Sequence, residues 1–112
     1  MKKVIAIIRA SKFEEVKDAL AKVGVNFFSY YEVRGFGQEK GEAIVYRGSV
    51  YDFGYIARYK IEILLTDDKV DQVIDAISHN ARTGVIGDGK IYVENLEKVV
   101  RIRTGESGEK SI

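Results

Sequence analysis

The sequence predicts an α+β domain whose elements run β-α-β-β-α-β. Three observations carry that expectation. Two stretches, near residues 13–23 and 70–77, repeat apolar residues at helical spacing with charges between them. Around them lie runs rich in β-branched and aromatic residues, the composition of strands. A length of 112 residues leaves room for one domain, 1–112, with a modest core.

The elements follow in order. Val4-Ile5-Ala6-Ile7-Ile8 is a short continuous apolar run, the pattern of a buried central strand. Ser11 stands three residues before Glu14, the capping-box spacing, and is expected to open the first helix. Phe13, Val16, Leu20 and Val23 form its apolar stripe, and Gly24 sits where a left-handed residue ends it. Phe27 to Phe36 reads as a long second strand. From about 37 to 55 no period is sustained, so a long loop is expected between the second and third strands. Tyr59 to Thr66 alternates, with Ile61, Ile63 and Leu65 on one side and Lys60, Glu62 and Leu64 on the other. Asp67 and Asp68 stand where acids favour a helix start, and Val70, Val73, Ile74 and Ile77 are the second helix's stripe. Gly84, Gly87 and Gly89 mark a second loop, at 82–90. Ile91 to Val93 and Val99 to Thr104 are the last strands expected, and the polar tail from Gly105 to Ile112 is expected to be mobile. This order is the ferredoxin-like plan, one antiparallel sheet with two helices on one face. The sheet's other face needs a cover, so an oligomer is expected.

Composition excludes several classes. A chain with 46% hydrophobic and 31% charged residues folds. Eighteen basic and 17 acidic residues leave a net charge of +1, which argues against broad attraction to nucleic acid or an anionic membrane. With no Cys and one His, disulfides, cysteine chemistry and Cys/His metal sites are out. The absence of Cys suits a cytoplasmic protein. No apolar run approaches the ~18 residues of a membrane span. The run before Arg9 is too short for a signal peptide. His79 is expected on the surface of the second helix.

Chemistry has three candidate places. The 37–55 loop exceeds the ~12–15 residues usual in compact domains. Its Tyr46, Arg47, Tyr51 and Tyr55 are typical interface anchors, and Ser49 and Tyr51 offer hydroxyls for modification. The other reading of this stretch is an extended hairpin with cross-strand aromatic pairs. Gly84 to Lys90 nearly spells the phosphate-loop pattern, but Ile91 replaces its hydroxyl and the loop joins helix to strand. It is therefore no Walker A site, although glycine amides and a lysine can cradle phosphate in another geometry. A plain turn is the alternative. Arg101-Ile102-Arg103, read as a strand, puts two guanidiniums on one face, an arrangement suited to an anion. Its alternative is a surface pair matched by Glu residues. Together the 82–90 loop and the Arg pair would form opposite walls of one polyphosphate site. Arg34-Gly35-Phe36-Gly37 begins like an RNA-recognition signature, but Gln38, Glu39 and Gly41 break it, so nucleic acid is not expected.

Four motifs then occur in sequence: Gly35-Phe36-Gly37-x-x-Lys40-Gly41, Tyr46-Arg47-Gly48-x-x-Tyr51, Thr83-x-x-x-Gly87-Asp88-Gly89-Lys90-Ile91 and Arg101-Ile102-Arg103-Thr104-Gly105-Glu106. From Met1 to Ile112 the chain resembles the PII nitrogen-regulatory signal-transduction proteins. The resemblance implies a homotrimer with ATP or ADP in the clefts between subunits. It implies that Gly87, Asp88, Gly89 and Lys90 face the phosphates, that Arg101 and Arg103 arrive from the neighbouring subunit, and that a C-terminal loop spans about 102–112. Gly35, Gly37 and Gln38 would border the cleft from the base of the long loop. Ser29, Glu62 and Leu64 would lie on the adenine and ribose side.

The resemblance also implies regulation rather than catalysis, by competition of ATP with ADP and by Mg-dependent binding of 2-oxoglutarate beside ATP. Effector contacts would fall to Glu39, Lys40 and Arg58, with Glu39 on Mg. The long loop would dock on nitrogen-assimilation enzymes or an Amt-type ammonium channel, the only route to a membrane. Arg47 matches the residue that enters the channel. Tyr51 matches a site of uridylylation, which implies a uridylylating enzyme, and Ser49 matches a site of phosphorylation. The chain departs from the family pattern at several places. Glu39 replaces the usual Gln and brings a charged hard-oxygen ligand. Arg58 replaces Lys, Gln38 a common Arg, and Tyr92 a Phe or Trp. Phe27 and Phe28 are bulkier than usual, which would tighten the cleft near the base. Two competing classes are an adenylate-only sensor that has lost the 2-oxoglutarate response and a slow ATPase using Lys90 and the two Args.

Overall fold

The computed structural model describes residues 1–35, 43–46, 49–52 and 56–112. Its elements are β1 (Lys2–Arg9), α1 (Phe13–Lys22), β2 (Ser29–Gly35), β3 (Ala43–Tyr46), β4 (Ser49–Asp52), β5 (Ile56–Leu65), α2 (Val70–Ala81) and β6 (Lys90–Asn95). Four strands make one sheet in the order β2-β5-β1-β6, antiparallel at every pair. With the helices this is the ferredoxin-like arrangement expected.

The core explains the order. Val4, Ala6 and Ile8 of β1 and Ile61, Ile63 and Leu65 of β5 are buried in one cluster. α1 adds Phe13, Val16 and Leu20, and α2 adds Val73, Ile77 and Ala81. Full burial of such a side chain stabilises by about 1.5–3 kcal/mol, so these alternating positions fix the strand register. Ile5 is also buried, at 1% exposure, but outside that cluster, between Glu62 and Tyr92 in the register. That two-sided burial is why β1 reads as an unbroken apolar run. The open face carries Lys60 between Tyr31 and Tyr92, and hydrogen bonding to these tyrosines raises its ammonium pKa.

The helix ends differ from expectation at the start and match it at the end. Ser11 lies inside a 3-10 turn, Ala10–Lys12, that runs directly into α1, and no side chain caps either the turn or the helix. The turn's own backbone supplies the bond, from Phe13 N–H to the Ala10 carbonyl, so no hydroxyl is needed. Asp67 and Asp68 likewise sit in a 3-10 turn ahead of α2. Asp67 accepts from the N-terminal ammonium at 2.7 Å, tying this turn to the start of β1. At the end of α1, Gly24 has φ +83°. Its N–H reaches the Ala21 carbonyl at 3.1 Å and the Val25 N–H reaches Leu20 at 3.0 Å, the two bonds of a Schellman cap.

Three expectations are overturned. The 37–55 stretch is not an aperiodic loop throughout, because β3 and β4 pair from Ala43↔Asp52 to Tyr46↔Ser49. The backbone follows the hairpin reading. Four-residue strands are too short for a period to register. Val99 to Thr104 is not a strand, since only Val100 pairs, in a lone bridge with Ser107. The tail that follows is not loose. The Gly105 N–H bonds to Arg101 O and the Arg101 N–H to Glu106 O, both at 2.8 Å, and the Gly108 N–H bonds to Val99 O at 3.0 Å. Left-handed φ values at Gly105 (+72°) and Gly108 (+80°) turn the chain back on itself, which a count of β-branched residues does not reveal.

Candidate functional site

The 82–90 loop is built around one carboxylate. Asp88 accepts from the backbone N–H of Thr83 at 2.8 Å and of Gly84 at 2.9 Å, and from the Thr83 hydroxyl. Arg9, at the end of β1, donates Nε to Asp88 at 3.2 Å and Nη2 to the Ile86 carbonyl at 2.8 Å. These contacts close the loop and fasten it to the sheet. The Thr83 hydroxyl and N–H, then Gly84 and Arg9, hold the Asp88 carboxyl far below the usual carboxylate range against a smaller opposing effect of burial. A depressed folded pKa means the stabilisation is complete above the unfolded value, ~3.9, and fades as pH falls below it. The loop is therefore expected to loosen in acid. Asp88→Asn is expected to loosen it at pH 7, with amide exchange at Thr83 and Gly84 faster by on the order of tenfold. Unchanged exchange at those two amides would remove Asp88 from this role.

Glycine geometry places the loop against β1. Gly89 has φ +99°, and a Cβ there would sit 1.7 Å from the Ile7 carbonyl oxygen. Gly87 has φ +107°, and its Cβ would meet Arg9 Nη2 at 2.9 Å and Arg58 Nη2 at 3.4 Å. Arg58 pairs with Arg9 and Val33 in the sheet register, and its Nη1 lies 3.5 Å from a Cβ built on Gly35. One guanidinium thus borders both the end of β2, where the long loop departs, and the 82–90 loop. Lys90 opens β6 opposite Ile7 and is exposed. Asp88, Gly89 and Lys90 line a cavity of about 380 Å³ over Ile7, Ile74 and Ile77.

The remaining candidates gather elsewhere. Ser29, Glu62, Leu64 and Arg101 line a separate cavity of about 610 Å³, which the C-terminal residues Glu109, Ser111 and Ile112 also border. Tyr31 donates its hydroxyl to Glu62 at 3.3 Å. Arg103 lies in the turn at 102–104, and its neighbour Ile102 is 99% exposed. Arg101 and Arg103 do not share a strand face, because no strand forms there. The expected residues therefore fall into two groups. Gly35, Arg58, Gly87, Asp88, Gly89 and Lys90 stand around the 82–90 loop, and Ser29, Glu62, Leu64 and Arg101 stand around the larger cavity. Gly37, Gln38, Glu39, Lys40 and Arg47 lie outside the described residues, and Ser49 and Tyr51 are placed by backbone alone, on β4. Arg9 was not among the expected site residues. A charge directly after a buried apolar run was the available signal for it.

A family model described as nitrogen regulatory protein P-II matches residues 1–106. The chain belongs to the P-II family. Among its P-II relatives, the nitrogen regulatory protein P-II of Bradyrhizobium diazoefficiens is 52% identical over 108 residues, 96% of each chain. That of Pasteurella multocida is 48% identical over 112 residues, and the nitrogen regulatory protein GlnK of Escherichia coli K12 is 46% identical over 112, each match spanning both chains completely. The P-II assignment puts the chain among regulatory proteins of nitrogen metabolism. Among the described residues, no helix is long and apolar enough to cross a membrane, and no group of three or more His, Asp or Glu is set to hold a metal ion.

Proposed function

We propose that the protein is a cytoplasmic, homotrimeric sensor of ATP and ADP that controls nitrogen-assimilation targets, an Amt-type ammonium channel among them, through its long loop. The observation that carries this is that Gly89 and Lys90 line one cavity of the chain while Arg101, Ser29, Glu62 and Leu64 line another. Neither cavity holds a complete polyphosphate site, but two subunits set side by side would supply both halves. The 82–90 loop suits phosphate because Gly87 and Gly89 keep its backbone free of side chains and Lys90 adds a charge. Arg101 and Arg103 of a neighbouring subunit would close the cleft. Ser29, Glu62 and Leu64 would take the adenine and ribose, and Gly35, Gly37 and Gln38 the edge toward the long loop.

Regulation fits these residues better than hydrolysis. Asp88, the carboxylate in the 82–90 loop, is held strongly ionised by its partners and is therefore a poor base. Arg58 borders the end of β2 and the 82–90 loop, so an anion on it, such as 2-oxoglutarate with Lys40, would couple the cleft to the long loop. Glu39 would supply an oxygen to Mg. Arg47 would meet the channel, and Tyr51 and Ser49 would be the points of uridylylation or phosphorylation.

Isothermal titration tests this directly. ATP and ADP are expected to bind in the presence of Mg, and absence of both would overturn the proposal. Glu39 would add a further negative charge beside triphosphate and dicarboxylate. Glu39→Gln is therefore expected to tighten 2-oxoglutarate binding to the ATP-loaded protein by about tenfold. Equal affinities would show that the added charge is without consequence.

A further inference from the structure

We infer that Phe27 is a stacking platform for the nucleobase and tunes the cleft toward purines. This rests on the nucleotide-binding reading above. Phe27 is 81% exposed, a high value for so large an apolar ring, and it lines the same cavity as Ser29, Glu62, Leu64 and Arg101. The next residue behaves oppositely. Phe28 packs on the core, its ring 6.3 Å from Phe13 at 72° and 6.1 Å from Tyr30 at 51°. Phe13 in turn lies 4.5 Å from Tyr30 and 4.8 Å from Tyr59.

The segment bearing Phe27 is thus held at three points. The Schellman cap fixes Val25 to Leu20, the aromatic cluster fixes Phe28, and β2 begins at Ser29. A ring on so well-fixed a backbone keeps its position without a partner of its own in the chain's core. Aromatic faces attract flat π systems in offset or tilted stacks, and a base stacked on such a face gains affinity without a hydrogen-bond code. A bicyclic purine covers more of a phenyl ring than a pyrimidine does. Phe27 therefore discriminates by ring area and leaves phosphate recognition to the cationic groups.

The test is calorimetric titration of the purified full-length protein with ATP, CTP and inorganic tripolyphosphate, in the wild type and in Phe27→Ala, Phe27→Leu and Phe27→Tyr. Phe27→Ala is expected to weaken ATP by about tenfold and CTP by less, and to leave tripolyphosphate unchanged. Phe27→Leu, which keeps apolar bulk without a π face, is expected to follow Phe27→Ala, and Phe27→Tyr to follow the wild type. Circular dichroism checks that each variant is folded. Unchanged or tighter ATP binding in Phe27→Ala would overturn the inference, as would an equal loss for ATP and tripolyphosphate. Wild-type protein that binds none of the three ligands would overturn the nucleotide reading itself. Loss confined to the variants leaves that reading standing.

Discussion

Gly89→Ala is expected to lower stability by about 3 kcal/mol, and the melting temperature by roughly 10–20 °C. Two costs add at this position. The backbone is left-handed, φ +99°, which an L side chain enters at about 1–2 kcal/mol. The new methyl would also lie 1.7 Å from the Ile7 carbonyl oxygen, so the loop or the central strand must move. Ile7 lies within β1, whose neighbours on either side are β5 and β6, so the strand has no freedom to yield. The loop is expected to lift instead and to take Lys90 and the Asp88 ring of hydrogen bonds with it. Gly24→Ala provides the control. Gly24 is also left-handed, φ +83°, but nothing among the described residues lies within 4 Å of its Cβ position. Its substitution is expected to cost only about 1 kcal/mol, the backbone share. Thermal melts of the two variants separate the terms. Equal losses would show that the loop does not press on β1 as described.

The sequence reveals most where burial sets a period. β5 and α2 each bury one repeating set of residues and β1 is buried on both faces, so Val4 to Ile8, Ile61 to Leu65 and Val70 to Ile77 were recognisable from pattern alone. The cap at Gly24 was recognisable because only glycine relaxes comfortably into that φ. What was hidden depends on backbone bonds with no side-chain signature. The turn through 102–104 and the tail pinned to Val99 are made by peptide groups, and the β-branched composition of Val99 to Ile102 pointed to a strand that does not form. Ser11 has the right spacing for a cap, but a 3-10 turn had already satisfied the helix entrance. At the site, the glycine and lysine pattern identified the 82–90 loop. The carboxylate that organises it showed its partners only in three dimensions, because Arg9 and Asp88 are far apart in sequence and 3.2 Å apart in space.

Subunit mixing tests whether the proposed nucleotide site is divided between the two cavities. On the proposed reading, Lys90→Ala and Arg101→Ala are each expected to weaken ATP by at least about thirtyfold, since each would remove a charge facing phosphate. If Lys90 of one subunit faces Arg101 of the next, the two defects lie on opposite walls of the cleft. Denaturing the two variants together and refolding them at equal ratio then creates mixed trimers. In some clefts an intact Lys90 from the Arg101→Ala chain meets an intact Arg101 from the Lys90→Ala chain. Random assortment gives about a quarter of the clefts both native groups. ATP binding at wild-type affinity is expected to return at about that stoichiometry, while each variant refolded alone stays weak. A site contained within one chain predicts the opposite, because every chain in the mixture carries one defect and no cleft recovers. The return of high-affinity sites on mixing therefore tests the intersubunit cleft and the roles of both cations together. The quarter stoichiometry distinguishes repair of the cleft from a general gain in stability, which would raise affinity at every site equally.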